Sequence, residues 1–463
     1  METAQGETAL ATALGARIRG TAIGPEDPAY ADARLVHNGM IDRRPALIAR
    51  CRDAADVIQA LAFARGEGLD VTVRCGAHSG SGQASVDGAL QIDLTPIGYV
   101  HVDPVQRLAR VGGGAMLGDV DHATHGFGLA APFGTVSTTG VGGLTLGGGV
   151  GYLSRRWGLS IDNLVGADVV LADGTFVSAS EDANSDLFWA LRGGGGNFGI
   201  VTEFRFQLHP VGNVIGGPML WPLDKTEQIL SLYRDWMPEQ PDDIYAFFAV
   251  LSVPPGDPFP AELHLRKACA LVWCNTAPEA EAKEAMDTFR AVAPPMLDGT
   301  GEMPFPALQS AFDPLLPFGT RMYWRGGVVK EVPDAAIPEY ERFGNSAPTW
   351  ASQTHVYPID AAASRPGVDS TAWPWRDARW SQVFVGVDYE PGRDDELRDW
   401  AVGFSEALRP YSMDAGYVNF MMDEGDDRVR GAYGPNYERL TQIKAKYDPD
   451  NVFHANHNIR PAS

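Results

Sequence analysis

Positive charge is scarce in this chain: 37 lysines and arginines stand against 59 aspartates and glutamates, a formal net charge of −22. The acidic residues are scattered rather than gathered in a tail. Nucleic acid is thereby excluded as a partner, because affinity for a phosphate backbone needs a basic footprint. Cysteine is rare as well. Cys51, Cys75, Cys269 and Cys274 form no CxxC pair and no metal pattern with histidine, which predicts reduced thiols and neither a disulfide framework nor a zinc site. No run of about 18 apolar residues occurs, so no membrane span is expected. The opening METAQGETALATALGARIRG has acidic and small residues where a secretory signal needs a basic stretch and then an apolar one. These features predict a cytoplasmic protein; a monomer or homodimer is expected, and the sequence does not choose between the two.

The chain of 463 residues, 44% hydrophobic and 21% charged, is globular in composition and too long for one ordinary core, so two domains are expected. From about Ala46 to Pro210 strands and helices alternate between glycine-dense turns. ADVIQALAFARGEG repeats apolar residues at helical spacing and stops at glycine, and the β-branched VTVRC follows. GADVVLADGTFV reads as a hairpin turning at Asp173-Gly174. Past Pro210 glycine thins and aromatics rise. There, helical EAEAKEAMDTFRAV and DDELRDWAVGFSEAL alternate with strand-like IYAFFAVLSV, ACALVWC and SQVFVGVDY, which predicts an antiparallel sheet backed by helices. The fold class is α+β.

Glycine is abundant, with 52 residues, and three segments concentrate it: RCGAHSG (74–80), GVGGLTLGGG (140–149) and GGGGNFG (193–199). Glycine lets backbone N–H groups approach a pyrophosphate where a side chain would block them. One such loop is weak evidence, but three in one domain point to a large anionic cofactor. The G-x-x-x-x-G-K-[ST] signature is absent, and no acidic residue follows at Rossmann spacing.

RCGAHSG, GTVSTTGVGGLTLGGGVGYLSRRWGLSIDNL, DLFWALRGGGGNFGIVTEF and YGPNYERLTQIKAKYDPDNVFHANHNIRP together resemble, in order, the motifs of berberine bridge enzyme-like FAD-linked oxidases of the vanillyl-alcohol oxidase superfamily. The resemblance spans nearly the whole chain. It implies a two-part FAD domain, residues 1–209 with a returning segment 410–463, around a substrate domain, 210–409. It assigns FAD binding to Arg74, Cys75, Gly76, Ala77, His78 and Ser79, to Thr138, Thr139, Gly140, Gly142, Gly143, Leu146, Gly147 and Gly148, to Asn197, Gly199, Ile200 and Val201, and to Asn456 and Asn458. It makes His78 the covalent anchor of the flavin. Where many relatives have a cysteine for a second bond, this chain has Val136, so the linkage is expected to be single.

Three residues on, the oxygen-gating position holds Thr139, whose short side chain favours an oxidase using dioxygen. The Tyr-x-Asn-Tyr motif that supplies the base in many relatives reads Tyr417-Val418-Asn419-Phe420, so that phenol is missing. His355, on a strand expected to face the flavin, can serve as the base or be a hydrogen-bonded histidine of the sheet; Tyr417 and Tyr357 are polar partners. The aromatics Tyr323, Trp324, Trp350, Trp373 and Trp375 can line a flat pocket or fill the core. The expected substrate is a small aromatic, alcohol or polyketide-like molecule of secondary metabolism. Two other readings stand beside the oxidase: a flavin dehydrogenase with another acceptor, and a flavin-binding protein without turnover.

Overall fold

The computed structural model describes residues 2–413 and 415–463, and three sheets organise them. In the first, Asp53 caps the helix Ala54–Glu67 by accepting from the Asp56 amide at 3.0 Å, and Gly68 ends it at φ 68°. A left-handed residue stops a helix, and glycine adopts that conformation without a Cβ penalty. The helix joins Leu47–Arg50 to Val71–Arg74, each pairing in parallel with Leu90–Asp93; Thr21–Ile23 adds an antiparallel edge.

The second sheet is antiparallel throughout, in the order Val100–Asp103, Leu108–Gly112, Ile200–Gln207, Leu164–Val170, Phe176–Ala179. Its last two strands form the expected hairpin. Gly174 turns at φ 87°, and the Asp173 carboxylate accepts from the Thr175 amide at 2.8 Å.

The third sheet has eight strands, all antiparallel, with Gln353–Pro358 between Ala246–Ser252 and Trp380–Asp388 and with Arg321–Val329 at one edge. Strand alternation divides its side chains. One face buries Phe248, Val356, Trp380 and Phe384 against the helices Thr226–Trp236, Glu279–Val292, Ile337–Asn345 and Asp394–Leu408, in a core with Tyr233, Phe289, Tyr340 and Phe404. The opposite face carries Phe247, Tyr357, Val383 and Val385 toward the glycine-rich half. Each large apolar side chain buried this way contributes about 1.5–3 kcal/mol before the entropy of ordering it.

The C-terminal helix Tyr437–Tyr447 returns to the glycine-rich half. The buried Lys444 ammonium donates to the Asp448 carboxylate at 2.6 Å and to the carbonyls of Asn197 and Phe453 at 2.8 and 2.9 Å. A buried ammonium with three acceptors, one of them charged, keeps its charge compensated and fixes the tail to the third glycine segment. Among the described residues no helix is long and apolar enough to cross a membrane.

Candidate active site

The three glycine segments, the tail and the free face of the third sheet enclose one cavity of about 370 Å³. Two of the segments touch back to back. A Cβ on Gly76 would lie 2.4 Å from the Gly140 nitrogen, and one on Gly140 would lie 2.4 Å from the Gly76 nitrogen, so only glycine at both lets the loops close. Gly143 is different. A Cβ there would meet nothing within 4 Å, because that face opens on the cavity. The third segment is held by Asn197, which donates to the carbonyls of Gly194 and His457 at 2.9 and 3.2 Å and accepts from the Ile459 amide at 3.0 Å.

The residues expected to bind the cofactor all line this cavity except four. The Arg74 guanidinium turns away and donates to the carbonyls of Ala33 and Leu35. Gly148 lies behind the wall, where a Cβ would press on Tyr417 and Trp373 at 3.2 and 3.5 Å. Asn458 lies outside the lining. Thr138 also lies outside it, but its hydroxyl meets His78 Nε2 at 3.2 Å.

His78 follows Ala77, which holds a left-handed φ of 53° and so turns the chain just before the imidazole. The His78 ring stacks on that of His37, with centroids 3.9 Å apart and planes 27° from parallel. Burial, and then the neighbouring His37, push its pKa well below the usual histidine value. The ring is therefore neutral near pH 7. In the tautomer that donates Nε2–H to the Thr138 hydroxyl, the Nδ1 lone pair is left as a nucleophile. Sequence motifs gave no signal for His37, which lies outside every glycine segment and is held by Nε2–H donation to the Leu316 carbonyl at 3.0 Å. Cys75 lines the same wall, but burial raises its thiol to about 11, so it stays protonated and acts as a packed side chain.

On the opposite wall, Gln353, His355 and Tyr357 share one face of their strand, as the alternation predicts. His355 Nδ1 lies 2.6 Å from the Tyr357 hydroxyl and Nε2 lies 3.2 Å from Gln353 Oε1. Burial pushes the imidazole down to about 4. Because both ring nitrogens are engaged, His355 offers no free nitrogen to a substrate, contrary to the expectation of a direct base. Tyr417 is engaged as well: its oxygen accepts from the amides of Gly149 and Val150 at 3.0 and 3.2 Å and from Asn419 Nδ2 at 2.9 Å. Three N–H donors crowd the two lone pairs of that phenol oxygen, and it serves as an anchor for the Gly149–Val150 loop.

Thr139 and Val136 both line the cavity. Of the five aromatics considered for a pocket, only Trp324 lines it. Tyr323 faces the helices, Trp350 packs 5.4 Å from the Tyr389 ring, and Trp373 and Trp375 join the core.

FAD fits these residues. Gly143 presents backbone with room beside it, and Asn456 Oδ1 and Thr72 Oγ1 line the cavity, buried without a hydrogen-bond partner among the described residues. A dinucleotide brings donors for such acceptors and fills an uncharged cleft that backbone N–H groups border.

Comparison with known proteins agrees. Residues 45–180 match the FAD binding domain family and residues 416–460 the berberine and berberine-like family. The chain is 32% identical to an FAD-linked oxidoreductase of Aspergillus terreus, pgmH, over 97% of this chain and 95% of that one. It is 30% identical to the uncharacterized FAD-linked oxidoreductase YgaK of Bacillus subtilis, over 96% and 98%. The crystal structure of 6-hydroxy-D-nicotine oxidase from Arthrobacter nicotinovorans superposes with a TM-score of 0.85 at 25% identity, covering 96% of this chain and 98% of that one. The protein therefore belongs to the berberine bridge enzyme-like FAD-linked oxidoreductases of the vanillyl-alcohol oxidase superfamily.

Proposed function

We propose that the protein is an oxidase that carries FAD through a single covalent bond to His78, takes a hydride from a small aromatic, alcohol or polyketide-like molecule, and passes the electrons to dioxygen. Residues 1–209 and 410–463 hold the cofactor in this reading, and 210–409 bind the substrate. The observation that carries it is the environment of His78, an imidazole lining the cavity, kept neutral by burial and held by His37 and Thr138. Bound FAD supplies the two-electron oxidant, and a histidyl substituent raises its potential.

The rest falls to this chain. His78 anchors, the glycine segments admit the pyrophosphate, and Asn456 offers a free acceptor. Val136 stands on the cavity wall where a second link would need a thiol, which supports single attachment. Thr139, short and on the same wall, leaves space for dioxygen. The 6-hydroxy-D-nicotine oxidase named above is an oxidase of a small aromatic molecule, which supports the same class here.

The test is the linkage itself. Acid-precipitated protein should stay yellow, and one tryptic peptide, containing His78, should carry the mass of FAD. Flavin retained by His78→Ala after precipitation, or a second flavin peptide in the wild type, refutes the reading.

A further inference from the structure

We propose that Tyr357, with His355 behind it, takes the proton released when an uncharged, hydroxyl-bearing substrate is oxidised. This rests on the flavin-oxidase reading and assigns the base that Phe420 leaves missing. Three phenols line the cavity; Tyr433 donates to the Gly194 carbonyl at 3.2 Å beside the third glycine segment, and Tyr417 is held by its three donors. Tyr357 is not.

Its orientation follows from the hydrogen bonds. Gln353 Oε1 can only accept, so His355 Nε2, 3.2 Å away, carries the ring hydrogen. Nδ1 then holds the lone pair, and Tyr357, at 2.6 Å, is the donor. The phenol oxygen keeps two acceptor positions, one of them on the side of Thr135, which lines the same cavity. The other is left for a substrate hydroxyl.

The transfer balances as follows. The substrate O–H bond breaks and its proton goes to the Tyr357 oxygen, while the Tyr357 proton moves to His355 Nδ1. The substrate C–O bond becomes C=O, and the C–H pair leaves as hydride to the flavin. Tyr357 ends unchanged and His355 ends as imidazolium, still donating Nε2–H to Gln353. Burial leaves His355 the free base at neutral pH, with its pKa at about 4, and raises the Tyr357 phenol, so both begin in the states the relay needs. The titratable groups facing the pair are Tyr417, Tyr152 and Tyr245, all raised by burial and so neutral; Phe247 flanks both rings at 5.1 and 4.9 Å.

The lining also fixes the substrate's charge. It contains no Asp, Glu, Lys or Arg, and Leu316, Met322, Trp324, Val385 and Phe420 make its walls apolar. A charged substrate group would be desolvated there without a counter-ion, at a cost of several kcal/mol. The net charge of −22 also opposes anions at longer range. A neutral carbinol meets neither penalty.

The experiment uses flavin-loaded protein and the variants Tyr357→Phe, His355→Gln and the double substitution. Histidine 15N NMR of the oxidised wild type should show His355 as the Nε2–H tautomer with a hydrogen-bonded Nδ1, and Tyr357→Phe should move only the Nδ1 resonance. In anaerobic stopped-flow with 1-phenylethanol and 4-methoxybenzyl alcohol, each single variant should reduce the flavin about a hundredfold more slowly, and the double variant no more slowly than either. The Nδ1–H tautomer overturns the relay. So does flavin reduction by Tyr357→Phe within threefold of wild type, or multiplicative effects in the double variant. Bleaching by charged amines or acids but by neither neutral alcohol overturns the substrate class, as does no bleaching at all. Flavin retention after acid precipitation, which tests the His78 reading, is measured on the same samples and separates the two failures.

Discussion

Tyr417→Phe separates an anchor from a catalyst. The substitution keeps the ring and removes one oxygen, which accepts from the backbone amides of Gly149 and Val150 and from Asn419 Nδ2. Those amides cannot turn elsewhere. Gly149 sits at φ +81°, and a Cβ there would overlap the Ser160 hydroxyl at 2.0 Å, so the loop is locked against its neighbour. Asn419 loses less, because the same nitrogen also donates to the Leu144 carbonyl at 2.9 Å.

A buried donor left without an acceptor costs about 1–3 kcal/mol, so two amides and part of a third bond come to about 3–5 kcal/mol. Unfolding entropy is about 2.1 cal/mol/K per residue, which for 463 residues is roughly 1 kcal/mol/K, so Tm should fall by about 3–5 °C in a single transition. Differential scanning calorimetry of the flavin-loaded protein measures this, and anaerobic stopped-flow measures flavin reduction beside it. The expected result is the Tm loss with reduction slowed less than about tenfold, a barrier change below about 1.4 kcal/mol. An unchanged Tm together with a hundredfold slower reduction would refute the reasoning and return Tyr417 to the chemistry.

Thr139→Leu should slow reoxidation of the reduced flavin at least about tenfold, about 1.4 kcal/mol of barrier, and leave reduction unchanged; equal reoxidation rates would mean that oxygen arrives by another route. Gly143→Ala meets no protein atom within 4 Å, so it should fold normally yet incorporate less FAD, whereas Gly140→Ala, 2.5 Å from Cys75 Sγ, should misfold or lose solubility; soluble yield and the flavin-to-protein absorbance ratio distinguish the two. His209, His355 and His457 are each pushed down from 6.5 to about 4, chiefly by burial. Above pH 6.5 neither folded nor unfolded chain protonates them; as pH falls from 6.5 toward 4 the unfolded chain binds protons that the folded one refuses, so stability drops. At pH 5 the loss is about 2 kcal/mol per histidine, and the urea midpoint should fall markedly between pH 7.5 and 5; a midpoint that does not move contradicts the burial argument.

The glycine segments were legible because each is a contiguous motif whose chemistry needs no distant partner. Strand alternation was legible for a similar reason: a period of two put Gln353, His355 and Tyr357 on one face before any contact was known. The same rule divides the aromatics of Arg321–Val329, since Tyr323 and Trp324 are neighbours and must face opposite ways, Trp324 into the cavity and Tyr323 onto the helices. The sequence pattern does not say which parity faces which layer. His37 was not legible at all, because its stacking on His78 depends on how the first sheet and the segment around Leu316 pack.

Arg74, Tyr417 and His355 show where the motif-based reading stops. A motif places a residue near a cofactor but does not say which atoms are already taken. Arg74 sits in the first glycine segment, yet its guanidinium turns its Nη1 away from the cavity to the carbonyls of Ala33 and Leu35. Tyr417 stands in the expected motif, yet its oxygen serves a loop about 270 residues earlier in the chain. His355 is on the expected strand and wall, but Gln353 fixes its tautomer and so turns its one lone pair toward Tyr357. For Tyr417 and His355 valence decides: a hydrogen-bonding atom has few positions, and once its neighbours fill them it cannot also take a proton from substrate. Among His355, Tyr417 and Tyr357, counting free lone pairs leaves the Tyr357 oxygen, which residue type and position in the chain had marked only as a polar neighbour.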